Sequence, residues 1–167
     1  MILKKFEYLQ ASKYIFMYGR WLELNHTDGY WIVYAYDPFF LRLGFKKNGN
    51  LYKSYLPDDQ VYEFTAIRKY IYCKYHGWEF SPNSVVFDEK INLFPDYDTQ
   101  IYFLGFRDKG DHYIEIPYSE FLEEVTDIWE IRRPVEGFKF EVEPIVYLKR
   151  KGVWFVDHEK LVDEVDE

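Results

Sequence analysis

Arg20-Trp21-Leu22-Glu23-Leu24-Asn25-His26-Thr27-Asp28-Gly29-Tyr30-Trp31-Ile32-Val33-Tyr34-Ala35-Tyr36 is the stretch that decides the fold class. Two runs of β-branched and aromatic residues flank an Asp-Gly pair. Such runs suit a pleated surface, and Asp-Gly supplies the positive φ that a tight hairpin requires. Asp37-Pro38 then turns the chain. Phe39–Phe45 and Leu51–Leu56 flank a second turn, Lys46-Lys47-Asn48-Gly49-Asn50, and predict a second hairpin.

Past Pro57 the period changes. Val61, Phe64, Ile67 or Arg68, Ile71 and Tyr75 recur at helical spacing. Asp58 or Asp59 can cap the first turn and Gly77 can end the last, so a helix is expected at about 59–75. Phe94-Pro95-Asp96 and Ser81-Pro82-Asn83 read as loops around a short strand at 84–88. Gln100–Arg107 and His112–Ile116 flank Asp108-Lys109-Gly110-Asp111 as another hairpin. Ser119 opens a second expected helix at about 119–132, with Phe121, Leu122, Val125, Ile128 and Trp129 on its apolar side. Its acids lie toward the N-terminal end and Arg132-Arg133 at the C-terminal end, as the helix dipole favours. Phe138–Val142 alternates as a strand, and Ile145–Leu148 with Val153–Val156 forms a last hairpin.

Successive hairpins with two main helices, and no strand–helix–strand alternation, predict an α+β fold built on a mainly antiparallel sheet. The expected organisation is a single globular domain over 1–156, with a weak seam near 78–98, and an acidic C-terminal tail at 157–167. At 167 residues and 48% hydrophobic content the chain has enough apolar surface for such a core without a disulfide or metal.

Composition narrows the function. The chain contains 17 Tyr, 15 Phe and 5 Trp but only one Cys and four scattered His. His26, His76, His112 and His158 share no metal-ligand spacing, and no cofactor is expected. Cys73 reads as a small buried hydrophobe, not a nucleophile. There is no G-x-S-x-G and no phosphate-cradling loop, so no catalytic residue is assigned and the expectation leans away from an enzyme. Asp96 and Asp98 flank Tyr97 in a Pro-led segment. They read first as turn residues, and as acid–base partners only if a His converges on them.

Charge is unevenly spread. Residues 1–56 carry eight Lys/Arg against four Asp/Glu, while 57–167 carry thirteen against twenty-five. Residues 111–130 hold seven acids and no Lys or Arg. Acidic surface with many rings suits a basic protein partner, because rings give contact area at low entropic cost and opposite charge speeds encounter. Small inhibitors and immunity proteins share this physical profile, an analogy of composition without a motif. The expected function is a non-enzymatic protein-binding module of that type. Its partner-binding residues are expected to be Glu120, Glu123, Glu124, Asp127 and Glu130, with Tyr113, Tyr118 and Tyr97 as ring anchors. The first alternative is a small-ligand-binding protein or hydrolase with an aromatic-lined pocket. The second is a nucleic-acid binder using the basic, ring-rich N-terminal sheet, where Arg20, Trp21, Tyr30, Tyr34, Lys53 and Tyr55 interleave. The first residues carry charge in place of an apolar leader, and no membrane span is read, so a cytoplasmic setting is expected.

Overall fold

The computed structural model describes residues 11–85, 89–108, 110 and 112–156. The expected acidic tail at 157–167 and turn residues Lys109 and Asp111 lie outside the described residues. The fold is dominated by antiparallel sheet, and α+β holds in that coarse sense. Two compact units are present. One comprises 11–69 and 132–144, the other 70–131 and 145–156 within the described range.

In the first unit β1 (Ser12–Met17), β2 (Arg20–Thr27) and β3 (Tyr30–Ala35) form a meander. The hairpin read at 20–36 is present, with Thr27 opposite Tyr30 across the Asp28-Gly29 turn. β4 (Lys46–Asn48) pairs β5 (Leu51–Pro57), and β5 pairs β3. Leu22 and Leu24 face inward with Val33 and Ala35, while Trp21 and Glu23 face out, as a half-buried sheet requires. Phe39–Phe45 is not a strand. Pro38–Leu43 is a 3-10 helix that opens with the Asp37 carboxylate accepting from the Phe39 amide at 2.9 Å, and it buries Phe40. Asp37-Pro38 is therefore a cap followed by a proline preset for helical φ, and not a plain turn.

The helix expected at 59–75 is also overturned. Ala66–Tyr75 is β6, with Ser12–Ile15 of β1 paired against Ala66–Lys69. Ile71, Cys73 and Tyr75 are buried while Tyr70 and Lys74 are exposed, a period of two. Tyr70 and Tyr72 carry rings on the outward phase, so the run reads as apolar in both phases and its alternation is hidden. Gly77 ends no helix. His76-Gly77, with φ of 50° and 79°, turns the chain into β7 (Trp78–Val85). Both residues in the left-handed region is the geometry of a two-residue hairpin turn.

In the second unit β7, β8 (Lys90–Pro95) and β9 (Ile114–Pro117) continue the meander from β6. Gln100–Arg107 is not a strand. Tyr97–Tyr102 is the short helix α1, capped by Asp96, whose carboxylate accepts from the Thr99 amide at 2.7 Å. The helix expected at 119–132 is cut short. α2 runs only from Tyr118 to Glu124, its N-cap is Pro117 with no side-chain cap, and Ser119 lies inside it. Val125–Pro134 is β10, paired with β11 (Ile145–Arg150), which turns into β12 (Val153–Trp154). Residues 138–142 form no named strand; Lys139 makes one parallel bridge to Thr65. The core of this unit gathers Ile71, Phe80, Ile91, Leu93, Phe121 and Ile128. Each such side chain contributes roughly 1.5–3 kcal/mol by burial.

Lys149 sits buried in this unit and its ammonium donates to the Leu122 carbonyl at 2.8 Å. It lies 4.8 Å from the Trp154 ring centroid. Burial pulls its pKa below the usual lysine value, with Asp127 opposing the change. The contact satisfies one of the orphan carbonyls at the end of α2 with a cation. Lys149→Ala is expected to lower the stability of the chain to chemical denaturation by about 2 kcal/mol, since the lost bond is charge-assisted. Lys149→Arg, which keeps charge and stem, is expected to retain more stability than the alanine variant.

Candidate functional site

The second unit carries the acidic charge. Its described residues include eleven Asp/Glu and six Lys/Arg, against nine and eleven in the first unit. Two surfaces of this unit hold the sequence-predicted residues.

On α2, Glu123 and Glu124 are exposed, and the Glu124 carboxylate lies 3.4 Å from the His76 imidazole. Glu120 is half-buried and accepts from the Tyr75 hydroxyl at 2.7 Å. Asp127 has left the helix for β10. Its carboxylate accepts from the Thr126 hydroxyl at 2.7 Å and from the Lys151 amide at 3.1 Å, which holds its pKa below the usual value despite partial burial. Glu130 is only 3% exposed, because the strand turns inward a position that a helix would have placed among the acids. Tyr118 is buried against Phe121, with ring centroids 6.2 Å apart. The five acids therefore do not share one helical face, and Glu130 and Tyr118 are not surface groups.

The second surface surrounds α1. Tyr97 and Tyr102 are 72% and 70% exposed, and Asp98 stands beside Tyr97. The chain after α1 folds back onto it. Phe106 N–H donates to the Gln100 carbonyl at 3.0 Å, and Gln100 Nε2 donates to the Asp108 carbonyl at 2.9 Å. His112 stacks on Phe106 with centroids 4.0 Å apart, and Tyr113 packs on Phe94 at 5.1 Å. Phe106 and Tyr113 are thus packed against neighbouring rings, and the backbone after α1 is tied to Gln100, which lowers the ordering cost of binding.

Asp96 and Asp98 do not meet a histidine in a cleft. Asp96 is engaged as the α1 cap, and its charge, after burial, raises the pKa of Glu79. A histidine and a carboxylate converge in the first unit instead. His26 Nε2 lies 2.8 Å from Asp58 Oδ2, across 32 residues of sequence. The His26 ring packs on Trp31 at 4.5 Å, and Trp31 is buried edge-on to Phe138 at 5.5 Å. His26, Trp31 and Asp58 line a cleft of about 530 Å³ together with Asp59, Gln60, Val61, Arg68, Glu136 and Gly137. Gly137, at φ 89°, holds the left-handed backbone that favours glycine in this wall. The one sequence signal for this cleft is the Pro57-Asp58-Asp59 break after β5, where Asp58 pairs with His26 and caps no helix.

No protein-family model, curated protein or solved structure matches this chain.

Among the described residues no group of three or more His, Cys, Asp or Glu is placed to hold a metal ion, and no helix is long and apolar enough to cross a membrane. Cys73 is buried, and burial raises its thiol pKa, so thiolate chemistry is suppressed.

Burial and the Glu120 hydrogen bond push the Tyr75 hydroxyl up to about 12 from 10.0. The folded state holds this proton more tightly than the unfolded state. The associated stability is present below pH 10 and is lost as pH rises through about 12. Spectrophotometric titration of tyrosine is expected to show a high-pH transition that disappears in Tyr75→Phe and moves to lower pH in Glu120→Gln.

Proposed function

We propose that the chain is a non-enzymatic protein-binding module that neutralises a basic partner, in the manner of an inhibitor or immunity protein. The observation that supports this reading most directly is the pair of largely bare tyrosines, Tyr97 and Tyr102, on a pinned segment of the acidic unit. Exposed rings of this kind are the usual anchors of protein interfaces. Glu123 and Glu124 add exposed negative charge on the same unit, and Asp98 adds it beside the anchor. Rim charges of this type act chiefly on the association rate, while the rings act on dissociation.

The test is capture of a basic protein by the full chain, compared across variants in a salt series. Tyr97→Ala with Tyr102→Ala is expected to weaken retention about 30-fold, the effect of losing roughly 2 kcal/mol at an anchor. Glu123→Lys with Glu124→Lys is expected to slow association and flatten its salt dependence while the melting temperature stays within a few degrees. Capture that is indifferent to both pairs of changes would remove this surface from consideration.

A further inference from the structure

The cleft of the first unit sorts its charges by origin. Arg68 comes from β6, and its cross-strand neighbour on β1 is Lys13. The Lys13 ammonium lies 5.9 Å from the Trp31 ring centroid. The carboxylates come from the connecting segments, Asp58 and Asp59 after β5, and Glu136 before Gly137. The field of Asp59 and Asp58 reaches Tyr62, where, after burial, it raises the hydroxyl pKa.

These opposite charges share a cleft without neutralising one another. Among the described residues the side chains of Arg68, Asp59 and Glu136 make no hydrogen bond or ion pair. Only Asp58 is engaged, through His26. A guanidinium offers parallel donors that fit a carboxylate, and a carboxylate suits an ammonium. A simple anion would meet three carboxylates here, and a simple cation would meet Arg68. A neutral sugar would leave both signs unmatched. A molecule carrying both signs answers both walls, and Val61 with the edge of Trp31 supplies apolar area beside them. The volume lies in the range of small-molecule sites.

We infer that this cleft binds a small zwitterion, a free amino acid or short peptide, with its carboxylate on Arg68 and its ammonium on Asp59 and Glu136. His26, oriented by Asp58 and backed by Trp31, presents a fixed imidazole edge to the remainder of the ligand. This assignment concerns the first unit and is independent of the protein-binding surface proposed for the second.

The experiment is a titration of the isotopically labelled full chain with the standard L-amino acids and a set of dipeptides, followed by amide chemical shifts. N-acetylated and C-amidated forms of any binder, maltose and inorganic phosphate are run beside them. At least one zwitterion is expected to bind with a Kd tighter than about 1 mM, with shifts clustered at His26, 58–61, Arg68 and 136–137. Blocking either end is expected to weaken it at least tenfold. Arg68→Gln is expected to abolish binding and Arg68→Lys to leave a weaker site, because a lysine keeps charge without the paired donors. Arg68 is exposed, so the melting temperature of both variants serves as the check on folding. The inference fails if no zwitterion binds, if blocked forms bind as well as free ones, if Arg68→Gln binds like the parent, or if only maltose or phosphate shifts these residues.

Discussion

A single buried amine holds the junction on which the second unit depends. Lys149 donates into the carbonyl of Leu122, and the chain passes from helix to strand three residues later. Without a partner there, the end of α2 would leave a backbone oxygen facing the core, where an unsatisfied polar group is costly. Charge burial is itself unfavourable, as the lowered pKa of Lys149 records. The arrangement is sustained because the same side chain lies over Trp154 and the strand carrying it is paired to β10. The early end of α2 and the start of β10, on which Asp127 lies, meet at this junction.

The parts of the fold that were legible in the sequence are those where turn chemistry and period agree. Residues 20–36 are the clearest case, with alternating burial on both sides of an Asp-Gly turn. The last hairpin is another, with Lys151-Gly152 between β11 and β12. The two expected helices that prove to be strands have a common cause, which is apolar residues present in both phases of a strand. In β6 the rings of Tyr70 and Tyr72 fill the outward phase. In β10 buried Val125 and Ile128 are three apart, a helical spacing, and the strand carries a register irregularity at Ile128 and Trp129. Tertiary pairing decides such segments, and local periodicity does not.

The candidate surfaces were legible only in part. Tyr97, Tyr113, Glu123 and Glu124 stand where a surface reading of composition places them. Glu130 does not, because its exposure depends on a helix continuing past Glu124, and Tyr118 does not, because at the start of α2 its ring packs on Phe121. The His26–Asp58 pair joins the end of β2 to the segment after β5. Neither residue has a local motif, so only the pairing of β2, β3 and β5 brings them together.

The two units interleave along the chain, and this sets an order for synthesis. β1 to β5 can pair as soon as they leave the ribosome, since their contacts are local. The wall carrying Glu136 and Gly137 belongs to the same unit but is made only after residues 70–131. Val135 is buried in that unit, and the Tyr62 amide bonds to the Gly137 carbonyl. A nascent chain stalled before residue 132 would therefore lack the Glu136–Gly137 wall of the first unit and the β11 strand of the second, so neither unit would be complete. The order of translation thus makes completion of the cleft wait for a segment that follows most of the other unit.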